Sequence, residues 1–71
     1  MNQNWISITE KLPEVYKEVL FVKTDGEILI AYYYKDEYGY GYVESELRAY
    51  RLCDMTHWMP LPEPPVENRV G

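Results

Sequence analysis

From Val19 to Tyr34 the chain is apolar except for Lys23-Thr24-Asp25-Gly26-Glu27. Two runs of β-branched, aliphatic and aromatic residues around an Asp-Gly pair predict a β-hairpin. Asp25-Gly26 fits a two-residue type I′ turn, in which both residues take positive φ. That turn pairs Lys23 with Ile28, Val22 with Leu29, Phe21 with Ile30, Leu20 with Ala31 and Val19 with Tyr32. Leu20, Val22, Leu29 and Ala31 then share one face, and Val19, Phe21, Ile28, Ile30 and Tyr32 the other. Both faces are apolar, whereas a sheet with one wet face alternates more cleanly. The hairpin is therefore expected to be covered on both sides, by a curled sheet, a C-terminal strap or a second subunit.

The flanking segments carry weaker patterns. Trp5 to Thr9 is rich in strand formers and predicts a first short strand. In Glu10 to Glu18, Leu12-Pro13-Glu14 is suited to a helical turn with Pro13 at its first position. Lys35-Asp36-Glu37 breaks the apolar run as a turn. In Tyr38-Gly39-Tyr40-Gly41-Tyr42-Val43 the period of two puts Tyr38, Tyr40 and Tyr42 on one side of a strand. Gly39 and Gly41 leave the other side bare, open to a bend or to close approach by a neighbour. Glu44 to Asp54 alternates poorly, and a short helical turn is expected near Glu46 to Tyr50. Thr56 to Trp58 closes the sheet as a last strand. Pro60, Pro62, Pro64 and Pro65 favour extended backbone, so the chain is expected to leave the sheet as a strap anchored by Trp58.

Together these elements predict a mainly β domain. It is a small, strongly curled antiparallel sheet of four or five strands, with an α+β form carrying one short helix as the alternative. A chain of 71 residues is a single domain. Residues 5–65 are expected to form it, with disordered ends at 1–4 and 66–71. A core this small leaves stability marginal, a shortage that a homo-oligomer would relieve.

Charge narrows the partners. Asp and Glu number 12 against 7 Lys and Arg, a formal charge of −5, and the basic residues are dispersed. Direct nucleic-acid binding draws on clustered positive charge, so it is not expected. The lone Cys53 allows no internal disulfide, the start lacks an apolar leader, and no stretch is long enough to span a membrane. A cytoplasmic protein is the expectation.

Reactive side chains are few. Cys53 and His57 stand at Cys-x3-His, but zinc sites take three or four protein ligands and there is no second Cys or His. Cys53 reads better as a small buried apolar residue. Glu44 and Glu46 are paired carboxylates with nothing to set them across a cleft. No catalytic residue, metal ligand or cofactor site is expected. The candidate interaction surface is Tyr38, Tyr40 and Tyr42 with Glu44 and Glu46, since tyrosine suits interfaces with an apolar ring and a polar hydroxyl. Trp5, Trp58, Pro60, Leu61 and Pro62 are the expected structural anchors.

Trp5-Ile6-Ser7, Leu12-Pro13-Glu14 and His57-Trp58-Met59-Pro60-Leu61-Pro62-Glu63-Pro64-Pro65 together resemble a small family of unknown function met in bacteriophages and prophages, DUF551-like. That family often has glycine shortly after its Leu-Pro-Glu, where this chain has Val15 and Tyr16, so Tyr16 is expected to pack in compensation. The resemblance implies a phage-type accessory protein and supplies no activity. Exclusion of reaction centres, with the tyrosine content, makes binding to another protein the expected function. The alternatives are an acidic inhibitor that occupies the basic site of a nucleic-acid-handling enzyme, and a small enzyme.

Overall fold

The computed structural model describes residues 4–62. Six antiparallel strands form one sheet: β1 (Ile6–Ser7), β2 (Val19–Lys23), β3 (Ile28–Lys35), β4 (Gly41–Glu44), β5 (Ala49–Arg51) and β6 (Met55–Pro60). Their spatial order is β1-β6-β2-β3-β4-β5. The expected antiparallel β class is what the chain adopts, but the sheet is open rather than strongly curled, and it has six strands. Its two edges, β1 and β5, are only two and three residues long, which limits the unpaired backbone offered to other chains.

Three tight turns build the β2-to-β5 meander. In the first, Gly26 N–H donates to the Lys23 carbonyl and Lys23 N–H to the Glu27 carbonyl, both at 2.8 Å. Gly26 has φ +93°, and Asp25 is not among the positive-φ residues. The loop is thus Thr24-Asp25-Gly26, a type I turn closed by a left-handed glycine. Asp25 accepts the Glu27 N–H at 2.9 Å and lies 3.6 Å from the Lys23 ammonium. Those contacts hold its carboxyl below the usual range, the backbone hydrogen bond from Glu27 contributing most.

The third loop residue moves the register by one from the predicted pairing. Val22 faces Ile28, Leu20 faces Ile30, Phe21 faces Leu29 and Val19 faces Ala31. A one-residue slip exchanges the faces of one strand relative to the other. Val19, Phe21, Leu29 and Ala31 now point one way, and Leu20, Val22, Ile28 and Ile30 the other. Asp36 to Tyr40 repeats the device: Gly39 N–H bonds the Asp36 carbonyl, Asp36 N–H bonds the Tyr40 carbonyl, and Gly39 has φ +90°. Asp36 Oδ1 accepts the N–H groups of both Tyr38 and Tyr40 at 2.9 Å. The predicted tyrosine strand is therefore a turn up to Tyr40, and only Gly41 onward is strand. The expected helix near Glu46 to Tyr50 is a hairpin instead. Ser45 N–H reaches the Arg48 carbonyl at 2.9 Å, and the Ser45 hydroxyl accepts the N–H groups of Leu47 and Arg48.

One face of the sheet is the core: Val19, Phe21, Ala31, Tyr33, Val43, Met55 and Trp58, with Ile6, Ile8, Leu29, Tyr50 and Leu52 packed against it. Met55 and Trp58 are three apart yet both buried. The reason is a bulge in β6, where Val22 faces His57 while Lys23 faces Met55, leaving Thr56 as the extra residue. Gly41 lets the β3–β4 end close over this core, since a Cβ there would stand 3.1 Å from both Leu52 Cδ2 and Tyr33 Cε1. Among the described residues the helical content is a single 3-10 turn, Leu52–Asp54.

The segment that crosses the sheet lies near the N-terminus. Trp58 Nε1–H donates to the Lys11 carbonyl at 2.8 Å, Pro13 is buried, and Val15 forms a parallel bridge with Tyr33. Lys11 to Val15 thus runs from the β1 end across β6 and β2 to β3 without a helical turn. Trp58 lies beneath it in a central strand. β6 extends through Pro60, which faces Val19, and Leu61 is half-buried while Pro62 is exposed. The strap was expected to leave the sheet at Pro60, but Pro60 is still paired in β6; the part of the strap beyond Pro62 and the disordered ends, Asn4 apart, lie outside the described residues. Among the described residues no helix is long and apolar enough to cross a membrane.

Candidate functional site: the outer face of the sheet

The register that closes one face leaves the other open. Successive outward positions of β3 are Ile28, Ile30, Tyr32 and Tyr34, with no charged side chain among them. Beside them stand Leu20 and Val22 of β2, opposite Ile30 and Ile28, and Met59 of β6, opposite Leu20. On the other flank Glu44 faces Tyr32 and Tyr42 faces Tyr34. Ile28 and Ile30 remain 53% and 51% exposed. Scattered exposed aliphatics are ordinary on soluble proteins; a contiguous row of them is not.

Four tyrosines gather at one end of this face. Tyr34 stacks on Tyr42 with centroids 5.6 Å apart and on Tyr16 at 6.0 Å with an interplanar angle of 12°. Tyr32 tilts against Tyr16 at 5.8 Å and Tyr34 at 5.9 Å. Offset and tilted pairs at these separations are the favourable arrangements for aromatic rings. Tyr16 reaches the cluster by an unusual backbone. Its φ is +64°, the one positive value at a non-glycine among the described residues, and its N–H donates to the Tyr33 carbonyl at 2.8 Å. The left-handed residue reverses the chain from the Val15 bridge into β2. Tyr16 was expected to pack in compensation for a glycine absent at Val15-Tyr16, and its ring contacts do oppose the backbone cost. Tyr16→Gly should therefore change stability by less than about 1 kcal/mol, strain relief offsetting lost stacking. Tyr16→Ala keeps the strain and loses the ring, so it should melt below Tyr16→Gly in parallel thermal scans.

Glu44 sits against the cluster, half-buried, and has no ion-pair partner among the described residues; the ion pairs there are those of Lys23 with Asp25 and Glu27. Tyr32 and Tyr34 both have raised pKa values, through desolvation first and then the Glu44 charge. Ionisation is thus disfavoured in the folded state. The stability this contributes is fully present below the ordinary value of 10.0 and lost as pH rises through the raised folded values. Glu44→Gln should move both phenol titrations toward 10.0, as read by ultraviolet absorbance of tyrosinate.

The structure brings together only part of the surface expected from sequence. Tyr42 and Glu44 share the outer face. Tyr38 and Tyr40 are exposed on the β3–β4 turn, and Glu46 is exposed in the β4–β5 loop. Tyr16, Tyr32 and Tyr34 belong to the face and were missed. The alternation within Tyr32-Tyr33-Tyr34 was the available signal, since Tyr33 is buried while its neighbours point outward. Cys53 is exposed rather than buried, and His57 is exposed with Nδ1 3.0 Å from the Thr56 hydroxyl. Among the described residues no three His, Cys, Asp or Glu side chains form a group able to hold a metal ion.

Residues 4–66 match the family described as "Protein of unknown function (DUF551)". The chain belongs to that family. The match spans all of the described residues, from the residue before Trp5 through the proline-rich C-terminal motif. No curated protein and no solved structure matches the chain. DUF551 membership carries no activity, so function has to be argued from the surface itself.

Proposed function

We propose that this DUF551 protein is a small binding module whose outer sheet face docks on a basic protein. The observation that carries this reading is the uninterrupted outward row Ile28, Ile30, Tyr32 and Tyr34, extended by Tyr16 and Tyr42 and ending at Glu44. Interfaces draw their energy from such aromatic and aliphatic anchors. Charge selects the partner. The chain carries −5, and the carboxylate beside the tyrosines is free of any ion pair among the described residues. A second copy, also at −5, would add like charge to like charge, whereas a basic surface is complementary. An accessory role of phage or prophage type agrees with this reading, and the basic site of a nucleic-acid-handling enzyme is one surface of the required sign.

The test is affinity capture from host cells with the wild-type protein and with Ile30→Lys. A charge at the centre of the row should reduce retention of a basic protein at least tenfold, about 1.4 kcal/mol, while the far-ultraviolet spectrum stays that of a β-sheet. Equal retention by both proteins would overturn the reading.

A further inference from the structure

We infer that the basic partner contributes a β-strand, which pairs with an open edge of β3 at Ile28 and Ile30. The inference rests on the docking role proposed above and names the element that makes the contact.

β3 is longer than either neighbour and is shared between them. β2 covers Ile28 to Ala31 on one flank, and β4 covers Tyr32 to Lys35 on the other. Hydrogen bonds fix which backbone groups point where. The carbonyls of Glu27 and Tyr33 accept from Lys23 and Tyr16 on the β2 side, while the Asp36 N–H donates to Tyr40 on the β4 side. These directions alternate along a strand, so Ile28 and Ile30 aim both N–H and C=O away from β2. The β4 ladder stops at the Tyr32–Glu44 pair, and no hydrogen bond among the described residues takes up the Ile28 and Ile30 groups. The chain turns at Ser45 to Arg48 into β5 instead. A cleft of about 670 Å³ is lined by that loop together with Leu29, Ile30 and Tyr50.

An open edge of this kind is a template for another strand. Neither lysine nor proline guards it, and both isoleucines are half exposed. An antiparallel strand would close one hydrogen-bonded pair at Ile28 and one at Ile30. A second copy of this chain does not fit. Matching its Ile28 and Ile30 to Ile30 and Ile28 here carries its Gly26 opposite Tyr32, where Glu44 already stands.

Charge selects the incoming side chains. Residues opposite Ile28 and Ile30 lie on the outer face with them. The place opposite Ile30 is two residues along the β4 line from Glu44, about 7 Å. Glu46 lines the same cleft, and neither carboxylate has an ion pair among the described residues. Arg48 turns to the core side, 6.0 Å over the Tyr50 ring. A lysine or arginine therefore suits the place opposite Ile30, and an apolar residue the place opposite Ile28.

The probe is acetyl-Lys-Val-Ile-Thr-amide, titrated at low salt into the labelled full chain and followed by nuclear magnetic resonance. In the free protein the Ile28 and Ile30 amide hydrogens should exchange fast, and those of Leu29, Ala31 and Tyr32 slowly. Saturating peptide should slow exchange at Ile28 and Ile30 several-fold. Methylating the peptide nitrogen of its isoleucine, which faces β3, should weaken binding by about tenfold or more. Methylating that of its valine, which faces away, should change binding by less than about twofold. Glutamate in place of the peptide's lysine should bind several-fold more weakly. Slow exchange at Ile28 and Ile30 without peptide, no slowing with it, equal losses from the two methylations, or equal binding of the glutamate peptide would each overturn the inference. None of these results touches the docking reading, which stands or falls on capture with Ile30→Lys.

Discussion

Trp58→Ala is expected to abolish cooperative folding near room temperature. The side chain is 6% exposed, in a strand flanked by β1 on one side and β2 on the other. Truncating a buried tryptophan costs about 3–5 kcal/mol. It also removes the 2.8 Å hydrogen bond to the Lys11 carbonyl, which is what fixes the crossing segment on the sheet. A domain this small sits at the low end of the roughly 5–15 kcal/mol that holds proteins folded. Trp58→Phe keeps most of the ring and loses the bond, so it should cost less and still melt cooperatively. Urea titrations followed by circular dichroism separate the two outcomes. A Trp58→Ala chain with wild-type stability would show that Trp58 is not the keystone of the crossing.

Phe21→Ala is the second large effect, and its contrast with Ile30→Ala tests the register. Phe21 is fully buried among Val19, Ala31 and Trp58, so its truncation should cost about 3–5 kcal/mol. Ile30 is half in water, and its truncation should cost under about 1 kcal/mol. Under a two-residue turn the two would face each other on the same side and cost comparable amounts. Paired denaturant curves give the answer directly.

Much of this fold was legible from the chain and some of it was not, for reasons that can be named. Val19 to Tyr34 announced a hairpin because both arms are strand formers and Asp25-Gly26 punctuates them. The same dipeptide also serves a three-residue loop whose last member is the glycine. Choosing between them depends on the φ of Asp25, to which sequence is silent, and the one-residue difference sets which face is buried. Tyr38 to Tyr42 alternated like a strand, but Asp36 stands three residues before Gly39 and its carboxylate caps the turn. That echo of the Lys23-to-Gly26 spacing was the missed clue. Ser45 hid the β4–β5 hairpin in a similar way, its hydroxyl organising a turn where the poor alternation of Glu44 to Asp54 suggested a short helical turn. The bulge at Thr56 and the crossing of Lys11 to Tyr16 depend on partners distant in sequence, and no local pattern encodes them.

Of the candidate surface, Tyr42 and Glu44 were readable from tyrosine content and charge. Tyr32 and Tyr34 became visible only once the register was known. Tyr16 was flagged as a departure from the family's glycine, and its left-handed backbone shows why that position matters.

The account depends on the row Ile28, Ile30, Tyr32, Tyr34 being a surface and not a second core. The direct measurement is the thermal melt of Ile28→Lys combined with Ile30→Lys. Charges on a solvent-facing sheet surface change stability by about 0.5 kcal/mol or less each, so the melting temperature should stay within about 8 °C of wild type. A double variant that fails to fold, or melts more than about 15 °C lower, would show that this face is buried and would contradict the docking role.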